Sequence, residues 1–150
     1  MAKRIYLDLD GTVFDLYGQP DWLERILAED ETVFATGKPL YDKRELAQTI
    51  AELQRKGYEI GVITWLPKDA SESYEQRCAR VKREWVREHL PTVNEFNAVR
   101  YGTPKQKFAK RADTIILVDD DDRVRAMWDT AKQRKSFDAK KNVLDFLRGL

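Results

Sequence analysis

The first residues whose types and spacing could do chemistry are Asp8-Leu9-Asp10-Gly11-Thr12, two carboxylates separated by one residue. In an extended segment residues i and i+2 leave the same face, so both side chains point one way, and Gly11 then lets the backbone turn aside. An aspartate carboxylate can attack phosphorus to give an aspartyl-phosphate, while a second carboxyl group beside it protonates the leaving oxygen and later activates water. A second acidic pair, Asp119-Asp120, opens a run that continues through Asp121 and Asp122. Gathered in one cleft, these groups cannot all stay ionised unaided, because like charges about 5 Å apart repel by roughly 3 kcal/mol at an effective dielectric near 20. A cation relieves that repulsion. Oxygen-only donors with no companion His or Cys select a hard ion, and Mg2+ suits a site that also holds phosphate. Thr64 offers a hydroxyl and a backbone N–H to a phosphate oxygen. Lys105, after the Gly102-Thr103-Pro104 turn, offers a positive charge able to hold both phosphate and Asp8. Taken singly, a threonine at a strand end is more often structural and a lysine at a helix start is usually solvated.

These residues need a frame that brings them together. Ile5, Leu7 and Leu9 alternate with Tyr6 and Asp8, a period-two pattern that predicts a short strand ending at the first acidic pair. Residues 58–64 are rich in β-formers and predict a second strand ending at Thr64; residues 114–118 give the clearest strand, running directly into Asp119. A weaker third strand is expected over 96–101, and only a poor candidate around Ser136 and Phe137. Helices fall between them. Leu46, Ile50 and Leu53 share a face over 42–56, with Gly57 placed as the stop, and Tyr74, Cys78, Val81 and Trp85 recur at helical spacing up to Leu90 and Pro91. Shorter helices are expected over 21–29, over 105–111, through Val124 and Trp128, and through Val143, Leu144 and Leu147. The alternation predicts a single α/β domain, residues 1–150, built as a Rossmann-like doubly wound parallel sheet with helices on both faces. Ligands of such sheets bind beyond the carboxyl ends of the strands, where strand order reverses.

The order of the set along the chain carries a resemblance. Asp8-Leu9-Asp10-Gly11-Thr12, Thr64, Lys105 and Asp119-Asp120 resemble the four motifs of the haloacid dehalogenase-like (HAD) hydrolases over nearly the whole chain. The resemblance implies that Asp8 is the nucleophile, Asp10 the general acid and base, Thr64 and Lys105 the phosphate holders, and Asp119 and Asp120 the acidic pair that binds Mg2+ together with Asp8 and Asp10. Asp10 favours a phosphatase over a dehalogenase, which lacks that second carboxylate. Lys107 is the fallback for Lys105, and Asp121 and Asp122 are expected to cap the following helix. The stretch from Val81 to Val86 with His89-Leu90-Pro91, then 101–105 and 117–120, is similar to 5'(3')-deoxyribonucleotidases and their small phage-encoded relatives. In those nucleotidases the interval after the first motif holds a helical cap, whereas here only residues 18–42 are available, a reduced cap. The implied substrate is a small phosphomonoester, a nucleotide above all. A more open site also admits a polynucleotide end.

Composition limits the other classes. The chain of 150 residues is 42% apolar and 35% charged with formal net charge +1, which gives no global bias toward nucleic acid or membranes. Its apolar runs, such as 115–118, fall far short of the roughly 20 residues a membrane span needs, and Asp8 interrupts any signal peptide. A single cysteine, Cys78, fits a reducing compartment, so a cytoplasmic location is expected. Trp65 either stacks on a substrate ring or packs in its loop; Trp22, Trp85 and Trp128 are expected to pack, and no catalytic role is expected of His89. A two-component receiver also joins an acidic pair, Asp, Thr and Lys around Mg2+, but it carries the acidic pair on its first strand, and here that pair comes last. A binding module that keeps the fold without turnover is the other competing class.

Overall fold

Ile5, Tyr6 and Leu7 are all fully buried, so the strand that carries them is covered on both faces, as a central strand of a parallel sheet is. The computed structural model describes residues 2–150. Its strands are β1 (Lys3–Leu7), β2 (Tyr58–Trp65), β3 (Glu95–Val99), β4 (Thr114–Asp119) and β5 (Arg134–Asp138), joined in one parallel sheet of order β3-β2-β1-β4-β5. The helices are α1 (Trp22–Leu27), α2 (Val33–Thr36), α3 (Lys43–Arg55), α4 (Glu72–His89), α5 (Asp122–Trp128) and α6 (Val143–Arg148).

Side-chain alternation divides the core between the two faces. Ile5, Leu7, Ile60, Val62, Ile116 and Val118 join a cluster with residues of α3, α4 and α6; Tyr6, Ile63, Ile115 and Leu117 join another with Val124 and Trp128 of α5. Helices therefore lie on both faces, as the doubly wound pattern requires. Local signals set their ends. Asp42 and Ser71 accept from the Glu45 and Tyr74 amides at the starts of α3 and α4, and Gly57 turns with φ +98° just past α3. Among the described residues no helix is long and apolar enough to cross a membrane.

Strand register places the site. Leu7 lies opposite Val62 of β2 and Val118 of β4, so Asp8 and Asp119 emerge next to each other, and the Asp8 amide donates to the Val118 carbonyl at 2.9 Å. Strand order runs outward from β1 through β2 to β3, then resumes on the other side with β4 and β5. The reversal lies between β1 and β4, with both acidic pairs at its carboxyl end.

Two expectations change in detail. The poor strand around Ser136 and Phe137 is a full edge strand, because its pairing with β4 from Arg134 to Asp138 is a backbone property that side-chain pattern records weakly. The helix expected over 105–111 is a single 3₁₀ turn, Lys105–Phe108, after which Ala109 is already extended. That turn is tied at both flanks: Trp65 Nε1 donates to the Thr103 carbonyl at 2.8 Å, and the Lys110 amide donates to the Tyr6 hydroxyl at 3.0 Å.

Candidate active site

Asp8, the first residue beyond β1, is buried and both its oxygens are engaged. Oδ1 accepts from Lys105 Nζ at 2.9 Å and Oδ2 from the Thr12 hydroxyl at 3.0 Å, which fixes the carboxylate plane. Lys105 reaches equally to the end of β4, where Nζ donates to Asp119 Oδ2 at 2.6 Å. Burial alone would lower the lysine's pKa, but the charges of Asp8 and Asp119 outweigh it and raise it well above the ordinary value. Lys107 is exposed, so Lys105 is the lysine that meets the carboxylates.

Ligand oxygens of Asp8, Asp119 and Asp120 lie within 4.8 Å of one another. Burial, then the charge of Asp8, pushes Asp119 up to about 6 against the opposing pull of Lys105. Burial and the charges of Asp8 and Asp119 push Asp120 up to about 8. A cluster of hard oxygen donors that resists ionisation in its own company suits a hard divalent cation. Asp121 caps α5 by accepting from the Arg123 and Val124 amides, as expected; Asp122 instead begins that helix and bonds Arg125 and Lys140.

Asp10 stands apart from this group. Its Oδ2 accepts from Lys82 Nζ at 2.8 Å, while Oδ1 is buried without a hydrogen-bond partner among the described residues. Burial raises its pKa, Lys82 works against that, and Asp8 adds to it. The geometry thus brings three of the four expected metal carboxylates together and gives the fourth a lysine partner. Thr64 is fully buried and does not line the cleft; its hydroxyl accepts from the same Lys82 at 2.8 Å.

Beside the acidic end opens a cleft of about 500 Å³. Asp8, Asp10, Lys105, Asp119 and Asp120 form its polar floor, and Tyr17, Trp22, Leu23, Ile26, Trp65 and Tyr101 much of its apolar wall. Trp22 packs against the core, as expected, and also lies edge-on to Tyr17 at 4.9 Å within that wall; Trp85 and Trp128 are core residues. Trp65 both packs and lines the cleft, its ring tilted against Tyr101 at 4.9 Å. His89 stacks on Trp85 away from the cleft, its Nδ1 bonded to the Trp85 carbonyl at 2.9 Å. Cys78 is buried, and burial pushes its thiol up to about 11, which makes it a packing residue.

Sequence reasoning missed Lys82, Thr12 and Tyr17. Lys82 had a legible signal, since it falls four residues after Cys78 and three before Trp85, on the stripe that packs α4 against the sheet.

A five-stranded parallel sheet flanked by helices in one domain, with the acidic site at its switch point, is a Rossmann-like, doubly wound α/β fold. Among solved structures, D,D-heptose 1,7-bisphosphate phosphatase from Burkholderia thailandensis is similar in fold, with 17% identity, a TM-score of 0.50 and coverage of 97% of this chain and 98% of that one. No protein-family model matches the sequence, and no curated protein matches it.

Proposed function

We propose that the protein is a Mg2+-dependent phosphomonoesterase that forms an aspartyl-phosphate on Asp8 and acts on a nucleotide or another small phosphorylated metabolite. The observation that carries this reading is the Lys105 ammonium group seated between Asp8 and Asp119, with Asp120 alongside. A fold shared with a structure described as a phosphatase supports it.

Asp8 attacks phosphorus, the bond to the leaving oxygen breaks, and Asp10 gives that oxygen a proton. Asp10 then takes a proton from water, which attacks the aspartyl-phosphate, releases phosphate and restores Asp8. Lys105 and Thr12 hold the Asp8 carboxylate in position, and Lys105 supplies positive charge beside the transferring group. Asp8, Asp119 and Asp120 would hold the ion, which when bound neutralises phosphoryl charge so that an anionic nucleophile can approach.

The wall of the cleft supports the nucleotide. The flat and aliphatic side chains of Tyr17, Trp22, Leu23 and Tyr101 offer stacking and apolar contact to a base.

The test is phosphate release from nucleoside monophosphates, sugar phosphates and end-phosphorylated oligonucleotides, with and without Mg2+, in wild type and Asp8→Asn. Expected is turnover of mononucleotides that needs Mg2+ and falls by about 10³-fold or more in the variant. Activity unchanged in Asp8→Asn would remove the nucleophile, and silence on every substrate would make the protein a binding module. Faster release from oligonucleotide ends would move the substrate to polynucleotides.

A further inference from the structure

We infer that Lys82 is a positioning residue for the reaction: anchored to the end of β2, its ammonium group orients the Asp10 carboxyl for proton transfer to the leaving oxygen. The inference rests on the phosphatase reading above.

Lys82 is 1% exposed, among the largest fully buried side chains. Its ammonium group donates to Asp10 Oδ2, to Thr64 Oγ1 and to the Trp65 carbonyl, each at 2.8 Å. An ammonium group has three protons, and all three are committed. Lys82 therefore has no donor left for a substrate phosphate, and Lys105 is the cation beside the carboxylates on the cleft floor. The Phe34 ring covers the ammonium at 4.6 Å.

The arrangement is asymmetric in a way that suits acid–base work. Two of the three bonds go to the end of β2, an interior strand paired on both sides, and fix where the ammonium sits. The third then fixes one oxygen of Asp10 and leaves Oδ1 without a partner. A carboxyl group held by one oxygen keeps a fixed plane, and because Asp10 lines the cleft, a proton it carries is presented there in one orientation. In the step itself Asp8 bonds to phosphorus, the phosphorus–oxygen bond to the leaving group breaks, and the Asp10 proton passes to that oxygen.

A buried lysine on an otherwise packing stripe is weak evidence for stability, since an apolar side chain of similar volume replacing a buried ion pair often serves as well. Proton donation matters in proportion to the basicity of the leaving group, and this separates positioning from mere support. The experiment measures kcat/KM in Mg2+ for a nucleoside 5'-monophosphate, whose alkoxide needs a proton, and for 2,4-dinitrophenyl phosphate, whose phenolate does not. Lys82→Met is expected to lose about 10²-fold on the nucleotide and less than about 5-fold on the aryl ester. Lys82→Arg keeps the buried charge but moves the donors, and is expected to show the same selectivity with a smaller loss; it decides the matter if Lys82→Met does not fold. Equal losses on the two substrates, or none, would overturn the inference while leaving the phosphatase reading intact. Wild type inert on both substrates, or unaffected by Asp8→Asn, would overturn that reading and the inference with it.

Discussion

At Gly11 the backbone turns with φ +78°, and a Cβ there would sit 2.3 Å from Asp120 Oδ2 and 2.9 Å from the Tyr17 ring. Two requirements meet at this residue, a left-handed turn after Asp10 and room for a carboxylate arriving from the other side of the switch point. Gly11→Ala is therefore expected to displace Asp120 as well as strain the turn. Apparent Mg2+ affinity in steady-state turnover should weaken about tenfold or more, with a stability loss of about 1–3 kcal/mol in urea unfolding. Unchanged Mg2+ dependence would take Asp120 out of the metal site. Gly11, Asp8, Asp10, Lys105 and the Asp119-Asp120 pair were legible because acidic spacing and turn residues are local signals. Thr64 was legible as a strand end, but its burial behind Lys82 was not, because that depends on how α4 crosses the sheet.

At the scale of elements, residues 18–42 supply α1, whose Trp22, Leu23 and Ile26 line the cleft, and this segment is fastened to the start of α4. The Ser71 amide and hydroxyl donate to the two oxygens of Glu29 at 3.0 and 2.9 Å. The same hydroxyl accepts from the Tyr74 amide as the cap of α4, and the Tyr74 hydroxyl donates to the Asp30 carbonyl at 3.1 Å. Glu29 itself turns with φ 56°, a left-handed conformation that these bonds hold in place. Ser71→Ala removes the cap and the hydroxyl half of the fastening, leaving the amide bond to Glu29. It should cost about 1 kcal/mol through the cap and raise KM for a nucleotide several-fold, leaving kcat within about twofold, because Asp8 and Lys105 stand on other elements. Urea unfolding and steady-state kinetics check the two halves. A fall in kcat with KM unchanged would mean that α1 shapes the chemistry rather than the binding. The central strands and long helices were readable from periodicity, whereas β5 and the 3₁₀ turn at Lys105 owe their form to partners distant in sequence. The tie between Glu29 and Ser71 spans 42 residues and leaves no local mark.

For the whole molecule, a parallel sheet that delivers several carboxylates to one end sets those charges against the stability of the fold. Folding pushes Asp119 up to about 6 and Asp120 up to about 8, by burial first and then by the charge of Asp8. Between about pH 4, where unfolded carboxyls release their protons, and these raised values, the folded chain binds more protons than the unfolded one. Stability from this pair is accordingly full at low pH and is lost as pH rises through about 6 and then about 8. A divalent cation held by Asp8, Asp119 and Asp120 replaces those protons, so it should restore what rising pH removes. The expected outcome is a Tm increase on adding saturating Mg2+ that is clearly larger near pH 8 than near pH 5.5, with Asp120→Asn narrowing the difference. Comparing the Mg2+-induced shift at each pH, rather than Tm alone, cancels the titration of groups elsewhere on the surface. A shift of equal size at both pH values would show that these carboxylates do not exchange protons for metal, and no shift near pH 8 would show that they do not hold the ion.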